Sequence, residues 1–200
     1  MRLKAMSMGL VLGACCLMSA GSVAASAQMK MDGPMKMAAT SPAKALDDLL
    51  NLYEGDVMGV IKAMPADKYS FAPSAAIFAA GQPAKFDTVR TFVQQITHVT
   101  EANYYFYSAV GGMKPDVDTE ALAKITTKDE AVAALAASFA FAHKAIATIT
   151  PENAFLPIKP VDGQGTRATL AAFGVAHGYD HYGQLVEYLR MNGVVPPGSK

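Results

Sequence analysis

Apolar residues recur at intervals of three and four along four separate stretches of this chain, and that rhythm constrains its fold more than any other feature. In the first stretch Leu46, Leu49, Leu50, Tyr53, Val57, Val60, Ile61 and Met64 make one stripe, the mark of a helix that buries a single face. Ser41-Pro42 supplies an N-cap followed by proline at the first helical position, and Pro65 ends the run. A second helix is predicted from about Asp87 to Val110, stopped by Gly111-Gly112. The third begins at Thr127, with Glu130 three residues on as a capping box, and carries Val132, Leu135, Ala136, Phe139, Ile146 and Ile149. The fourth begins near Thr166 or Thr169 and ends at Asn192-Gly193, with Pro196-Pro197 beyond. No run alternates convincingly at period two, so no sheet is predicted. Four such helices around one core make an all-α four-helix bundle over residues 41–197. Two connections, 65–85 and 150–165, are long, so the bundle need not run simply up and down.

The N-terminal segment reads differently. Arg2 and Lys4 precede an apolar run from Met6 to about Ala20, and Ala25-Ser26-Ala27 closes the segment. That order is expected of a cleavable signal peptide, residues 1–27, and implies a periplasmic or secreted protein. Gly, Ser and Cys interrupt the run, which falls short of a stable membrane span. Leu12-Gly13-Ala14-Cys15 resembles a lipobox and gives a rival reading, a lipoprotein anchored at Cys15, but residues 16–24 stay apolar where a lipoprotein would turn polar. Cleavage after Ala27 removes both cysteines, Cys15 and Cys16, so the remaining chain must be stable through its core alone. It also removes two of the 17 basic residues and none of the 17 acidic ones, and a balance so near neutrality gives no reason to expect nucleic-acid binding. Residues 28–40 lack a helical period and contain Gly33-Pro34, which predicts a flexible linker. Its methionines, Met29, Met31, Met35 and Met37, are soft donors that suit Cu(I), or they are incidental.

The chemistry concentrates in four histidines. On the fourth helix the stripe reads Leu170, Phe173, Gly174, His177, His181, Gln184, Leu185, Tyr188. Two imidazoles one turn apart on a buried face can reach a single metal ion. Buried side by side without one, both need partners and cannot both be charged. Gly174, Gly178 and Gly183 thin the helix beside them, so that another helix or a ligand can come close. A third ligand comes from His98 or His143. His143 lies on the third helix's apolar stripe, four residues after Phe139. His98 shares its face with Thr91, Gln94, Ala102 and Tyr105, away from the face of Phe92, Ile96, Val99 and Asn103. Periodicity therefore leans to His143. Glu101, one turn beyond His98, is a candidate to hold that ring's second nitrogen, and Asp180 and Gln184 are candidates to support the fourth helix's pair. His177-Gly178-Tyr179-Asp180-His181 has only a degenerate likeness to zinc-peptidase motifs, since Gly178 stands where a Glu base is needed. Four consecutive aromatics, Tyr104 to Tyr107, must point all round a helix, so most are packing residues.

The string His177-x3-His181-Tyr182-Gly183-Gln184-Leu185, followed by Tyr188-Leu189-Arg190, Gly193 and Pro196-Pro197, resembles the last helix of the DinB-like (YfiT-like) four-helix metalloprotein superfamily. Lys68-Tyr69-Ser70-Phe71-Ala72-Pro73 and His98-Val99-Thr100-Glu101-Ala102-Asn103 are similar too, and the likeness spans roughly residues 42–197. The resemblance implies a bundle of non-sequential connectivity and a divalent metal: zinc first, nickel or manganese as alternatives. It implies a triad of His98, His177 and His181, against the periodicity, and leaves His143 outside the site. It also implies a metal-dependent hydrolase or a thiol-dependent transferase. Export sits badly with the thiol-transferase role, because the usual thiol cofactors are cytosolic. No general base stands out beside the triad, so hydrolase and transferase both remain open. The other reading is a non-catalytic stress protein that binds a metal or small ligand. The expected partner is an unidentified small molecule, with a homodimer as an open alternative.

Overall fold

The computed structural model describes residues 40–77, 80–82 and 85–199. The signal-peptide reading of residues 1–27 and the Met-rich stretch before Thr40 lie outside the described residues. Helix α1 runs Pro42–Ala63, with Pro42 in its first turn and the Ser41 hydroxyl accepting from the Lys44 amide. Met64 turns extended at its end, as the following proline requires. Helix α2 is Phe92–Gly111, α3 a single turn at Thr119–Leu122, α4 Lys128–Ile146 and α5 Arg167–Met191. Each long helix begins at a hydroxyl N-cap: Ser41, Thr91, Thr127 and Thr166.

Three sequence expectations need correction. Helix α2 starts at Phe92, not Asp87, because Thr91 and Gln94 close a reciprocal capping box there. The last connection is not sheet-free: β1 (Pro157–Val161) pairs antiparallel with β2 (Gln164–Thr166). Its turn is Asp162-Gly163, both at positive φ (44° and 78°), the two-residue hairpin signal that Asp-Gly gives. Two prolines in β1 had masked the alternation. Finally, Leu49 of the first stripe is exposed, whereas Met58, outside it, is buried.

The packing explains the two long connections. Both α1 and α2 pack on α4 and on α5. Consecutive helices α1 and α2 therefore stand across the bundle from one another, as do α4 and α5, and each crossing needs more chain than a turn between neighbours. The ends of the helices are tied across these crossings. The Lys128 ammonium, at the start of α4, donates to the carbonyls of Lys62 and Met64 at the end of α1 (2.7 and 2.8 Å), a cation where helix carbonyls are unpaired. Tyr69, buried in the first loop, donates to the Ile61 carbonyl at 2.6 Å. The carbonyls of Tyr69 and Phe71 in turn accept from the Val93 and Phe92 amides that open α2. Arg167, at the start of α5, donates to the Val110 carbonyl at the end of α2 (3.0 Å).

The core is apolar and aromatic: Leu50, Tyr53, Val57 and Ile61 from α1, Phe92 and Ile96 from α2, Leu135 and Phe139 from α4, Leu170, Leu185 and Leu189 from α5. Gly174 and Gly178 do let neighbours approach, but the neighbours are tyrosines. A β-carbon on Gly178 would stand 2.2 Å from Tyr53 Cζ, and one on Gly174 would stand 3.0 Å from the Tyr107 hydroxyl oxygen. Gly183 faces open space. No described helix is long and apolar enough to cross a membrane.

Candidate metal centre

Helix α2 is buried on nearly all sides, because α4 and α5 pack on it and α3 adds a further contact. Its polar strip is only partly solvated: Gln94 and Tyr105 are exposed, but His98 between them is half-buried against α5, which a single-stripe reading does not anticipate. Tyr104, Phe106 and Tyr107 are buried and Tyr105 is 56% exposed, so three of the four consecutive aromatics pack, as expected.

His98 projects from α2 toward His177 and His181 on α5. The ring centroids are 5.4 Å (His98–His177), 4.7 Å (His98–His181) and 4.6 Å (His177–His181) apart, all edge-to-face. One ring nitrogen from each lies within 4.8 Å of the other two. His177 Nε2 and His181 Nε2 are 3.3 Å apart. His143 is elsewhere, on α4, held by two carboxylates of α1: Nδ1 to Asp47 at 2.5 Å and Nε2 to Glu54 at 2.9 Å.

The electrostatics suit three neutral donors. Burial lowers the pKa of His98, helped by Arg90 and His177. Burial also lowers that of His177, against the opposing pull of Asp180 and Asp162. His181, 6% exposed, is pushed down to about 4 by burial and by the other two rings. Neutral imidazole is the form that binds metal. His177 is flanked by Phe106 (5.3 Å) and Phe173 (6.4 Å between centroids). His98 opens into a cleft of about 410 Å³ shared with Arg90, Gln94, Thr97 and Glu101.

Beyond the rings stands a residue that the sequence reading missed. Gln95 is 3% exposed, and its side-chain oxygen lies 3.0 Å from His181 Nδ1. Its amide nitrogen donates to Gln184 Oε1 at 2.6 Å, and the Gln184 amide donates to Asp180 Oδ2 at 3.1 Å. Asp180 and Gln184, the candidates to support the pair on this helix, thus connect to His181 through Gln95. The signal was present: Gln95 sits three residues after Phe92 and four before Val99, a polar side chain on an apolar stripe that must find partners. Glu101 lines the cleft beside His98, but among the described residues it makes no hydrogen bond to that ring. Arg90 and the hairpin residue Asp162, both near enough to influence His177, also escaped notice, since each becomes a neighbour only through the fold.

A bundle in which α1 and α2, and α4 and α5, stand across its diagonals, with three clustered imidazoles on α2 and α5, defines a class of helical proteins able to hold a metal ion. The family model of the DinB superfamily matches residues 53–185, a span that contains all three rings. The chain belongs to that superfamily. The comparison with curated proteins returned no match.

Proposed function

We propose that this protein binds one divalent metal ion, zinc in the first instance, through His98, His177 and His181, and that it uses the ion as a metal-dependent hydrolase or transferase acting on a small molecule. The observation that carries the reading is the 3.3 Å between the two Nε2 atoms on α5. Two nitrogens bound at about 2.0–2.1 Å to a tetrahedral ion stand about 3.3 Å apart, so the pair is already spaced for ligation, and His98 approaches from the facing helix. A divalent ion held there supplies Lewis acidity toward an oxygen or sulfur of a substrate. The chain's own residues do the rest. Gln95 fixes the His181 ring, Phe106 and Phe173 keep water from one flank of His177, and the cleft with Arg90 and Glu101 gives a small molecule access to His98. That access favours an enzyme over a storage protein. In keeping with the N-terminal pattern, we place the protein outside the cytoplasm.

A competition titration with a zinc chelator tests the ligand set. His98→Ala, His177→Ala and His181→Ala each lower affinity by orders of magnitude, whereas His143→Ala stays within a few-fold of the parent protein. Retention of tight zinc by His98→Ala together with its loss in His143→Ala overturns the assignment.

A further inference from the structure

Three hydrogen bonds lead from His181 to the surface, and their polarity is fixed at the far end. A carboxylate only accepts, so Asp180 obliges the Gln184 amide to turn its NH2 outward, 3.1 Å away. The Gln184 carbonyl must then face Gln95 and accept from its NH2 at 2.6 Å. The Gln95 carbonyl is left facing His181 Nδ1 at 3.0 Å, where it can only accept. His181 therefore carries its proton on Nδ1 and presents a bare lone pair at Nε2, the atom that faces His177. Reversing the two amides would set the Gln184 oxygen against the carboxylate oxygen at 3.1 Å, a repulsive contact.

From this geometry we infer that Asp180 is a positioning residue that selects the metal-binding tautomer of His181 through the side chains of Gln184 and Gln95. The inference rests on the metal-centre reading above and extends it to a residue with no contact to the ligand ring. Two properties make the relay effective. Gln95 is buried, so water does not compete for its amide. The two amides also hydrogen-bond each other directly, so flipping one flips the next. The relay has a consequence for His177. With His181 Nε2 bare, the 3.3 Å contact is closed by a proton on His177 Nε2, so in the metal-free protein the two rings hold opposite tautomers. Ligation then requires the proton of His177, not that of His181, to leave Nε2.

The test is a long-range 1H–15N correlation spectrum of the metal-free protein, which reads the tautomer of each ring, alongside a zinc–chelator titration. The parent protein shows His181 protonated at Nδ1 and His177 at Nε2. Asp180→Asn, whose amide can donate as well as accept, produces mixed tautomers at His181 and weakens zinc binding about tenfold, the lower end of what outer partners of a metal ligand contribute. Adding Gln184→Glu puts a carboxylate directly against the Gln95 NH2 and restores both readouts. An unchanged His181 tautomer in Asp180→Asn overturns the relay, as does a double variant that restores neither. The spectrum needs no metal. Failure of every variant and of the parent to bind zinc sinks the metal reading, while the tautomers still decide the relay.

Discussion

Tyr53 is fully buried against Gly178, one residue from a site histidine, and its hydroxyl has no hydrogen-bond partner among the described residues. Burial drives its pKa upward, so the group stays neutral. A buried hydroxyl left unpaired costs free energy that its removal returns. Tyr53→Phe is therefore expected to leave stability unchanged or raise it by up to about 1 kcal/mol. Gly178→Ala should behave oppositely. Its new β-carbon would meet the rigid ring at 2.2 Å, and overpacking of that kind costs about 1–3 kcal/mol or more. Urea denaturation of both variants checks the pair; a stable Gly178→Ala would mean that α1 and α5 separate easily. Single residues were unevenly legible in the sequence. The thin points at Gly174 and Gly178 could be read, but which side chains fill them depends on helices distant in sequence. The pair His177 and His181 could be read from its own spacing. His98 could not, because a stripe analysis assumes one buried face and α2 has more.

Among the elements, α1 and α4 are joined by His143, whose ring lies between Asp47 and Glu54. Burial works against a charge there, but the hydrogen bonds and charges of the two carboxylates outweigh it and raise the pKa. The folded state thus holds this proton more tightly than the unfolded chain, whose histidine pKa is about 6.5. The stabilisation is complete below that pH and is lost as pH rises through the folded-state value. The triad has the opposite sign, because its lowered values make the metal-free protein lose stability as pH falls from about 6.5 toward the about 4 of His181. Unfolding free energies of parent and His143→Gln across pH 5 to 9 should therefore differ most at the acid end and converge at the alkaline end. A constant difference would leave the ring a packing residue only. Element boundaries were legible at several hydroxyl caps and Gly or Pro stops, as at Ser41, Thr127, Gly112 and Gly193, but not at the Thr91 cap of α2. The hairpin was not, since Pro157 and Pro160 occupy strand positions that the alternation rule expects other residues to fill.

At the scale of the molecule, two diagonal crossings set the bundle apart from a simple up-and-down one. The long connections pointed to this from the sequence, but which helices become neighbours did not follow from periodicity. The proposed export makes its own prediction: intact mass of the protein recovered from its native compartment corresponds to a chain beginning at Gln28, and a lipid-modified Cys15 would refute it. Beyond residue 27 the chain contains no cysteine, so it has no covalent means of joining distant positions. The proposed metal site would supply another. His98 and His177 are about 80 residues apart in sequence, and an ion held by both closes that loop as a disulfide would, constraining the chain most where closure costs the unfolded state most. Such a cross-link forms only in the folded protein and opens when the ion is withdrawn. If the proposed ion is bound, the candidate centre would then also be the clasp, and metal supply would govern how long the folded molecule survives as well as what it can do.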